Sequence, residues 1–346
     1  MGIDRRGLVV AGICGAAALA GGTVTLTGCT SKAGSPSPSP TGSGSPSGGE
    51  SAPASTGVTE TSRPTVSPSS SGPSGTALPS VTRWSPSPND IQPAVKLRAV
   101  RLIEALGNWT PADPDPRSRA SKAGYRANLV SQADGLLPAA GSAALQVLEA
   151  QYGGILADSA SVLVVCRQWT PAGPTGGITV DVRLTSSQPV WTVTALHPSQ
   201  PGPASHSLSA AARAVLASDA ITLPPAGHAD VASDQVHDTA LEALLTLSRR
   251  YRLELSVVRS GHPIDVFGTN RPSDHPRGRA FDVWRIDGHA VVDPATPHSL
   301  VDGFMRAAAA AGSYNVGGPR LLSGGAGNQF FSDDTHHDHV HVGFTS

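Results

Sequence analysis

The chain is 346 residues long; glycine and proline (38 and 30 residues) make up about a fifth of it, and only 4% is aromatic. Such averages arise when a polar segment, unable to bury enough surface to offset its ordering entropy, dilutes an ordinary folded part. A net charge of −1 and a pI near 6.9 exclude a broad electrostatic hold on nucleic acid or an anionic surface, and three cysteines cannot build a disulfide scaffold.

Residues 1–28 read as an export signal. Arg5 and Arg6 precede an uncharged run from Gly7 to Gly28, and Leu26-Thr27-Gly28-Cys29 matches a lipobox, in which the cysteine thiol takes lipid after cleavage. The run is long enough for a spanning anchor, but the lipobox sits where cleavage belongs, so lipidation at Cys29 is the expectation. Asp4-Arg5-Arg6-Gly7-Leu8-Val9 also resembles a twin-arginine signal, so either that route or Sec export would place the chain, lipid-anchored, on the extracytoplasmic face of the cell membrane. Residues 29–89 follow as a disordered linker; 31–90 holds eleven prolines and eighteen serines. A spacer of this kind reaches roughly 45 Å. Cys14 leaves with the signal, and Cys166 reads as a small buried hydrophobe.

From Asp90 the pattern becomes that of a folded chain. Helical spacing predicts a helix over Ile91–Leu106 and further helices around Arg126–Leu137 and Ala143–Tyr152. Strand-like runs follow at Ser161–Gln168, Gly177–Thr185 and Pro189–Leu196, the second alternating through Ile178, Val180, Val182 and Leu184. Helices followed by an antiparallel meander predict a small α+β accessory domain over 90–200. Its element order resembles the nuclear-transport-factor-like modules of bacterial envelope lipoproteins, and no residue constellation in it rises above core packing.

Pro198–Ser207 marks a boundary, and a second domain is expected over 205–346. Helices are predicted at Leu208–Leu216, at Asp234–Tyr251 with Asp234 as N-cap, and at His298–Ala311. Strands are predicted at Leu253–Val258, Ala280–Trp284 and Val340–Phe344.

The chemistry concentrates in the last ninety residues. Four of the twelve histidines, His336, His337, His339 and His341, fall in the final eleven positions, and His275 lies in Ser273-Asp274-His275-Pro276-Arg277-Gly278-Arg279-Ala280-Phe281-Asp282. A hydrolytic zinc site uses three His or Asp ligands and keeps one position open. A histidine before a turn and an aspartate on the following strand can converge on one ion. His339 and His341, two apart on a strand, share a face. His197, His206, His228, His237, His289 and His298 have no partner spacing and read as surface or structural residues.

Ser273-x-His275-x-x-Gly278-x-Ala280-x-Asp282 followed by His339-x-His341 resembles the zinc peptidases typified by D-alanyl-D-alanine carboxypeptidases, which share this site with lysostaphin-type endopeptidases and hedgehog domains. The resemblance spans Asp234 to Phe344, about a third of the chain. It implies an antiparallel sheet with flanking helices, one Zn²⁺ held by His275, Asp282 and His341, and catalysis by His339, with Asp338 as the general base. Asp333, Asp334 and His337 remain open for that last role. Ser273, Arg271 and His262 are candidates beside the metal or the substrate. Where the carboxypeptidase branch has Ser-Gly-Tyr-Arg, this chain has Ser260-Gly261-His262-Pro263, so the substrate-binding charge must come from elsewhere, Arg259, Arg271 or Arg277. The resemblance implies a monomeric, lipid-anchored metallopeptidase acting on peptidoglycan peptides and making no use of nucleic acid. The alternatives are a non-catalytic zinc module that binds a cell-wall or protein partner, and a metal-scavenging lipoprotein.

Overall fold

A computed structural model describes residues 77–346. The export signal, Cys29 and the linker up to residue 76 lie outside the described residues. Among the described residues no helix is long and apolar enough to cross a membrane. Residues 77–89, which composition assigns to the linker, form no helix or strand but follow a defined path. The Gln146 side-chain amide clips the Thr82 backbone at both ends, at 2.7 and 2.8 Å, and Trp84 packs against the adjoining core.

The N-terminal part begins with α1 (Pro93–Gly107), whose buried face carries Val95, Ala99, Val100, Leu102, Ile103 and Leu106. A short α2 (Pro116–Lys122) is N-capped by Asp115. Four strands follow: β1 (Ala144–Ile155), β2 (Ser159–Thr170), β3 (Gly173–Thr185) and β4 (Thr192–Pro198). They pair antiparallel in chain order, and α1 closes one apolar core against them. Cys166 is buried and unpaired in that core, as a small hydrophobe should be.

Two helices expected here do not form. Arg126–Leu137 supplies only a 3-10 turn, Ala127–Gln132. The stretch expected as helix Ala143–Tyr152 is strand β1, and bulges explain the misreading. Register shifts between Val147 and Glu149 and between Tyr152 and Gly154 put Leu145, Val147, Ala150, Tyr152 and Ile155 into one core. Each bulge turns a spacing of two into three, so the apolar pattern mimics a helix.

The C-terminal part contains α3 (Ala210–Leu216), β5 (Ile221–Thr222), α4 (Pro225–Ala232), α5 (Asp238–Ser248), β6 (Leu253–Val257), β7 (Ala280–Ile286) and β8 (His289–Ala290). It ends with α6 (His298–Ala310), β9 (Asn315–Gly317), β10 (Phe330–Phe331) and β11 (Val340–Gly343). The sheet order is β10-β9-β11-β7-β6-β5, with β8 on β7. Its centre is antiparallel, as expected, but β5–β6 and β9–β10 are parallel; the chain crosses over from β5 to β6 through α4 and α5, which returns it in the same direction. Asp234 does not cap a helix. It sits in a turn at φ 59, and α5 starts four residues later, after His237. Helices α3, α5 and α6 cover a second, separate core with Phe281, Val283, Val340 and Val342. The whole is a mixed α+β structure with two apolar cores, which adjoin within one compact unit.

Candidate metal centre

His275 opens a 3-10 turn, His275–Arg277, closed by Gly278 at φ 69. A Cβ on Gly278 would lie 2.1 Å from the Gln235 carbonyl oxygen, so backbone and space both require glycine. The turn feeds β7, where Ala280 is fully buried and Phe281 and Val283 enter the core. Asp282 therefore points to the opposite face. His341 is its direct cross-strand partner in β11, so the two side chains meet.

Three potential ligand atoms converge. His275 Nε2 lies 3.1 Å from both Asp282 Oδ1 and His341 Nδ1, and His341 Nδ1 lies 3.0 Å from Asp282 Oδ1. His275 Nδ1 donates to the Val258 carbonyl at 2.8 Å, which turns Nε2 to the cluster. Burial would lower this ring, but Asp282 outweighs it and raises its pKa, which favours a proton on Nε2 shared with Asp282. Burial pushes the His341 ring down to about 4, so at neutral pH it is uncharged and keeps a lone pair on one ring nitrogen. Burial would raise the Asp282 carboxyl, but His275 and His339 outweigh it and hold Asp282 well below the usual carboxylate range. A positive charge is what holds these three atoms so close, either the proton on His275 or a metal ion that takes its place. The group is thus compatible with a metal ion, and its Nδ1–H···O=C anchor is the kind that orients a ligating imidazole.

His262 also places a ligand atom within 4.8 Å of those of His275 and Asp282. Its ring, however, stacks on His275 with centroids 4.2 Å apart and planes 20° from parallel. Lone pairs lie in the ring planes, so the two run side by side rather than toward one point. His262 Nδ1 also faces the Pro263 carbonyl at 3.0 Å and Ser273 Oγ at 3.4 Å.

His339 and Asp338 form a second layer. His339 Nδ1 donates to Asp338 Oδ1 at 2.6 Å, and its Nε2 is 3.7 Å from Asp282 Oδ2. Burial would discharge the His339 ring, yet Asp282 and Asp338 outweigh it and raise its pKa above the ordinary imidazole value. Asp338 Oδ2 accepts from Lys96 Nζ at 2.6 Å and from the Tyr152 amide at 3.1 Å. Both Asp338 oxygens are therefore engaged. Lys96 has no exposed surface and also pairs with Asp90. Asp90, His337 and Asp338 bring ligand atoms as close together as a metal site would, but the Lys96 ammonium already stands among them as the cation.

His337 accepts from the Ile91 amide through Nε2 at 3.1 Å and donates to the Asp334 carbonyl through Nδ1 at 2.7 Å. Both nitrogens serve the backbone, so its structure assigns it to anchoring the start of α1. His336, by contrast, bonds Asp333 Oδ1 at 2.6 Å and places its ring 5.1 Å from His339 and 5.7 Å from His341. The six histidines without partner spacing are all exposed.

His275 and His341 line a cleft of about 320 Å³ walled by Tyr152–Ile155 of β1, Leu156, the 262–275 segment and Phe331–His336. Ser273 and the exposed Arg271 line it; Arg259 and Arg277 do not. Arg259 instead faces Asp230 at 3.6 Å. Gly154 forms part of the wall where a Cβ would lie 2.1 Å from Phe267 Cβ. Gly154→Ala is expected to force that wall apart and cost about 1–3 kcal/mol, measured by thermal or denaturant unfolding; an unchanged midpoint would show that the wall yields freely.

The site thus draws on the stretch expected to do nothing but pack: Lys96 from α1, and Gln151 and Tyr152 from β1. Their contacts join residues far apart in the chain, and Gln151 reaches Asp282 across 131 positions. The one local sign was a lysine among the apolar residues of the buried face of α1. Comparison with protein-family models, with curated proteins and with solved structures yields no match, so what the site does is read from its own geometry.

Proposed function

We propose that the chain is a zinc-dependent peptide hydrolase, lipid-anchored outside the cell membrane and acting on peptidoglycan peptides. The observation that carries this reading is the convergence of His275, Asp282 and His341, with His275 and His341 lining the cleft. A tetrahedral ion with bonds near 2.0–2.1 Å sets its ligand atoms roughly 3.3 Å apart, close to the 3.0–3.1 Å seen between these donors. Two imidazoles and one carboxylate suit zinc better than magnesium or calcium. Zinc bound there would polarise a carbonyl and acidify water, the chemistry peptide hydrolysis needs.

The chain's own groups supply the rest. Asp338 holds the Nδ1 proton of His339, so Nε2 faces the cluster; a metal ion held by Asp282 would offset the charge that raises this ring and so free Nε2 to act as a base. It would take a proton from the attacking water and return it to the amine as the C–N bond breaks. Asp338 thus acts through His339 rather than on water, because Lys96 and the Tyr152 amide occupy its other oxygen. The His336–Asp333 pair stands beside the same face, and Arg271 offers the cation at the rim that the missing Ser-Gly-Tyr-Arg arginine would have given. The export signal and lipobox support the substrate class, since they would deliver the cleft to the cell wall.

The rival reading, a closed zinc module that binds a partner, is favoured by the proximity of His262 and opposed by its stacking on His275. Cobalt substitution separates them: a four-coordinate spectrum unchanged by small anions would support the closed site. The activity test is a muropeptide digest with the zinc-loaded full chain, read by mass spectrometry. New cleavage products that vanish on chelation are expected; identical mass profiles with and without the protein would overturn hydrolysis.

A further inference from the structure

We infer that Gln151, from the N-terminal segment, is a positioning residue of the metal centre: it holds Asp282 so that a cation is met by Oδ1 alone. This rests on the metal-site reading above and extends it to a part of the chain that carries none of the ligands.

The amide is held at both ends. Gln151 Nε2 donates to Asp282 Oδ2 at 2.7 Å, and Gln151 Oε1 accepts from Ser256 Oγ on β6. The Asp282 carboxylate, which can only accept, decides which way the amide points, since the reversed rotamer would turn a carbonyl oxygen onto it; the Ser256 hydroxyl then donates to the oxygen that faces β6. Gln151, Ser256 and Asp282 are all fully buried, so no water can take the place of the donor. The remaining group near Oδ2 is His339 Nε2, at 3.7 Å. With Oδ2 occupied, Oδ1 is the oxygen left within 3.0–3.1 Å of His275 Nε2 and His341 Nδ1.

The backbone is shaped for this one contact. The two β1 bulges lie on either side of Gln151. Its neighbours Ala150 and Tyr152 enter the N-terminal core, which turns Gln151 outward to the other sheet. Packing between two sheets would be served better by an apolar side chain, because a buried amide must find partners at both ends to avoid a penalty. What requires an amide here is the carboxylate of Asp282. The N-terminal segment is therefore a working part of the metal centre and not a separable appendage.

The test compares zinc affinity in the full chain, by chelator competition, for wild type, Gln151→Met and Gln168→Leu. Gln168 is a second buried glutamine of the same sheet whose amide bonds Gly107 O and Leu136 O, far from the centre. Gln151→Met is expected to bind zinc about 10–100-fold more weakly and to shift the cobalt d–d spectrum. Gln168→Leu is expected to lower the melting temperature while keeping affinity within about threefold. Wild-type affinity in Gln151→Met, or an equal loss in both variants, would overturn the inference while leaving the metal site standing. A wild-type chain that binds no zinc would overturn both.

Discussion

Lys96→Met is expected to destabilise the chain by about 3–5 kcal/mol, the penalty for leaving buried carboxylates without their cation. Methionine keeps the length of the stem and removes only the charge, so the loss reports on Asp338 and Asp90, both almost wholly buried. Against the 5–15 kcal/mol that holds a typical domain together, this is a large fraction. The effect should depend on pH in a definite direction. Burial would raise the Asp338 carboxyl, but Lys96 and His339 outweigh it and hold it far below the usual carboxylate range. In the wild type that contribution is complete above the unfolded value of about 3.9 and fades as pH falls below it. In the variant only His339, His337 and the Tyr152 amide are left to oppose burial, so the Asp338 carboxyl rises and acid costs the folded state less. The gap between the two proteins is therefore expected to be widest near pH 7 and to narrow toward pH 4. Denaturant unfolding across that range measures it, and a gap independent of pH would refute the pairing.

The second large effect concerns the ligands themselves. Saturating zinc, at about a thousandfold excess over its dissociation constant, should stabilise the wild type by about 4 kcal/mol. For a chain of this size that corresponds to roughly 10 °C in melting temperature. His275→Ala and His341→Ala are each expected to lose the stabilisation entirely and to retain no stoichiometric metal, a heavier loss than the ~100-fold ceiling expected of an outer residue. His228→Ala, an exposed histidine outside the site, should behave as wild type. One zinc per chain surviving in His341→Ala would place the ion elsewhere, and the Asp90, His337 and Asp338 group would be the place to look.

What could be read beforehand follows a physical pattern. The turn at His275, the strand through Asp282 and the terminal strand with His341 were legible because each is specified within a few residues: a glycine needed at positive φ, alternation on a strand, and a histidine two from another. The β1 segment was misread because its bulges convert a period of two into an imitation of a helix. Asp234 has the chemistry of an N-cap, yet a turn took it, because α4 ends just before it and α5 cannot start until the chain has turned. Asp338 was the base that the resemblance implied, with Asp333, Asp334 and His337 left open; its oxygens are engaged by His339, Lys96 and the Tyr152 amide.

Composition carried a lesson of the same kind. Lysine occurs at only three positions, Lys32, Lys96 and Lys122, which reads as a compositional bias. Lys96 is nonetheless the cation that neutralises two buried carboxylates, and only its partners reveal it. By itself, then, the sequence determined the local frames that carry His275, Asp282 and His341, because neighbouring residues suffice to write them. Only the tertiary structure decided which groups orient those ligands, since Gln151 and Lys96 act on residues that lie distant in the chain and adjacent only after two sheets have packed.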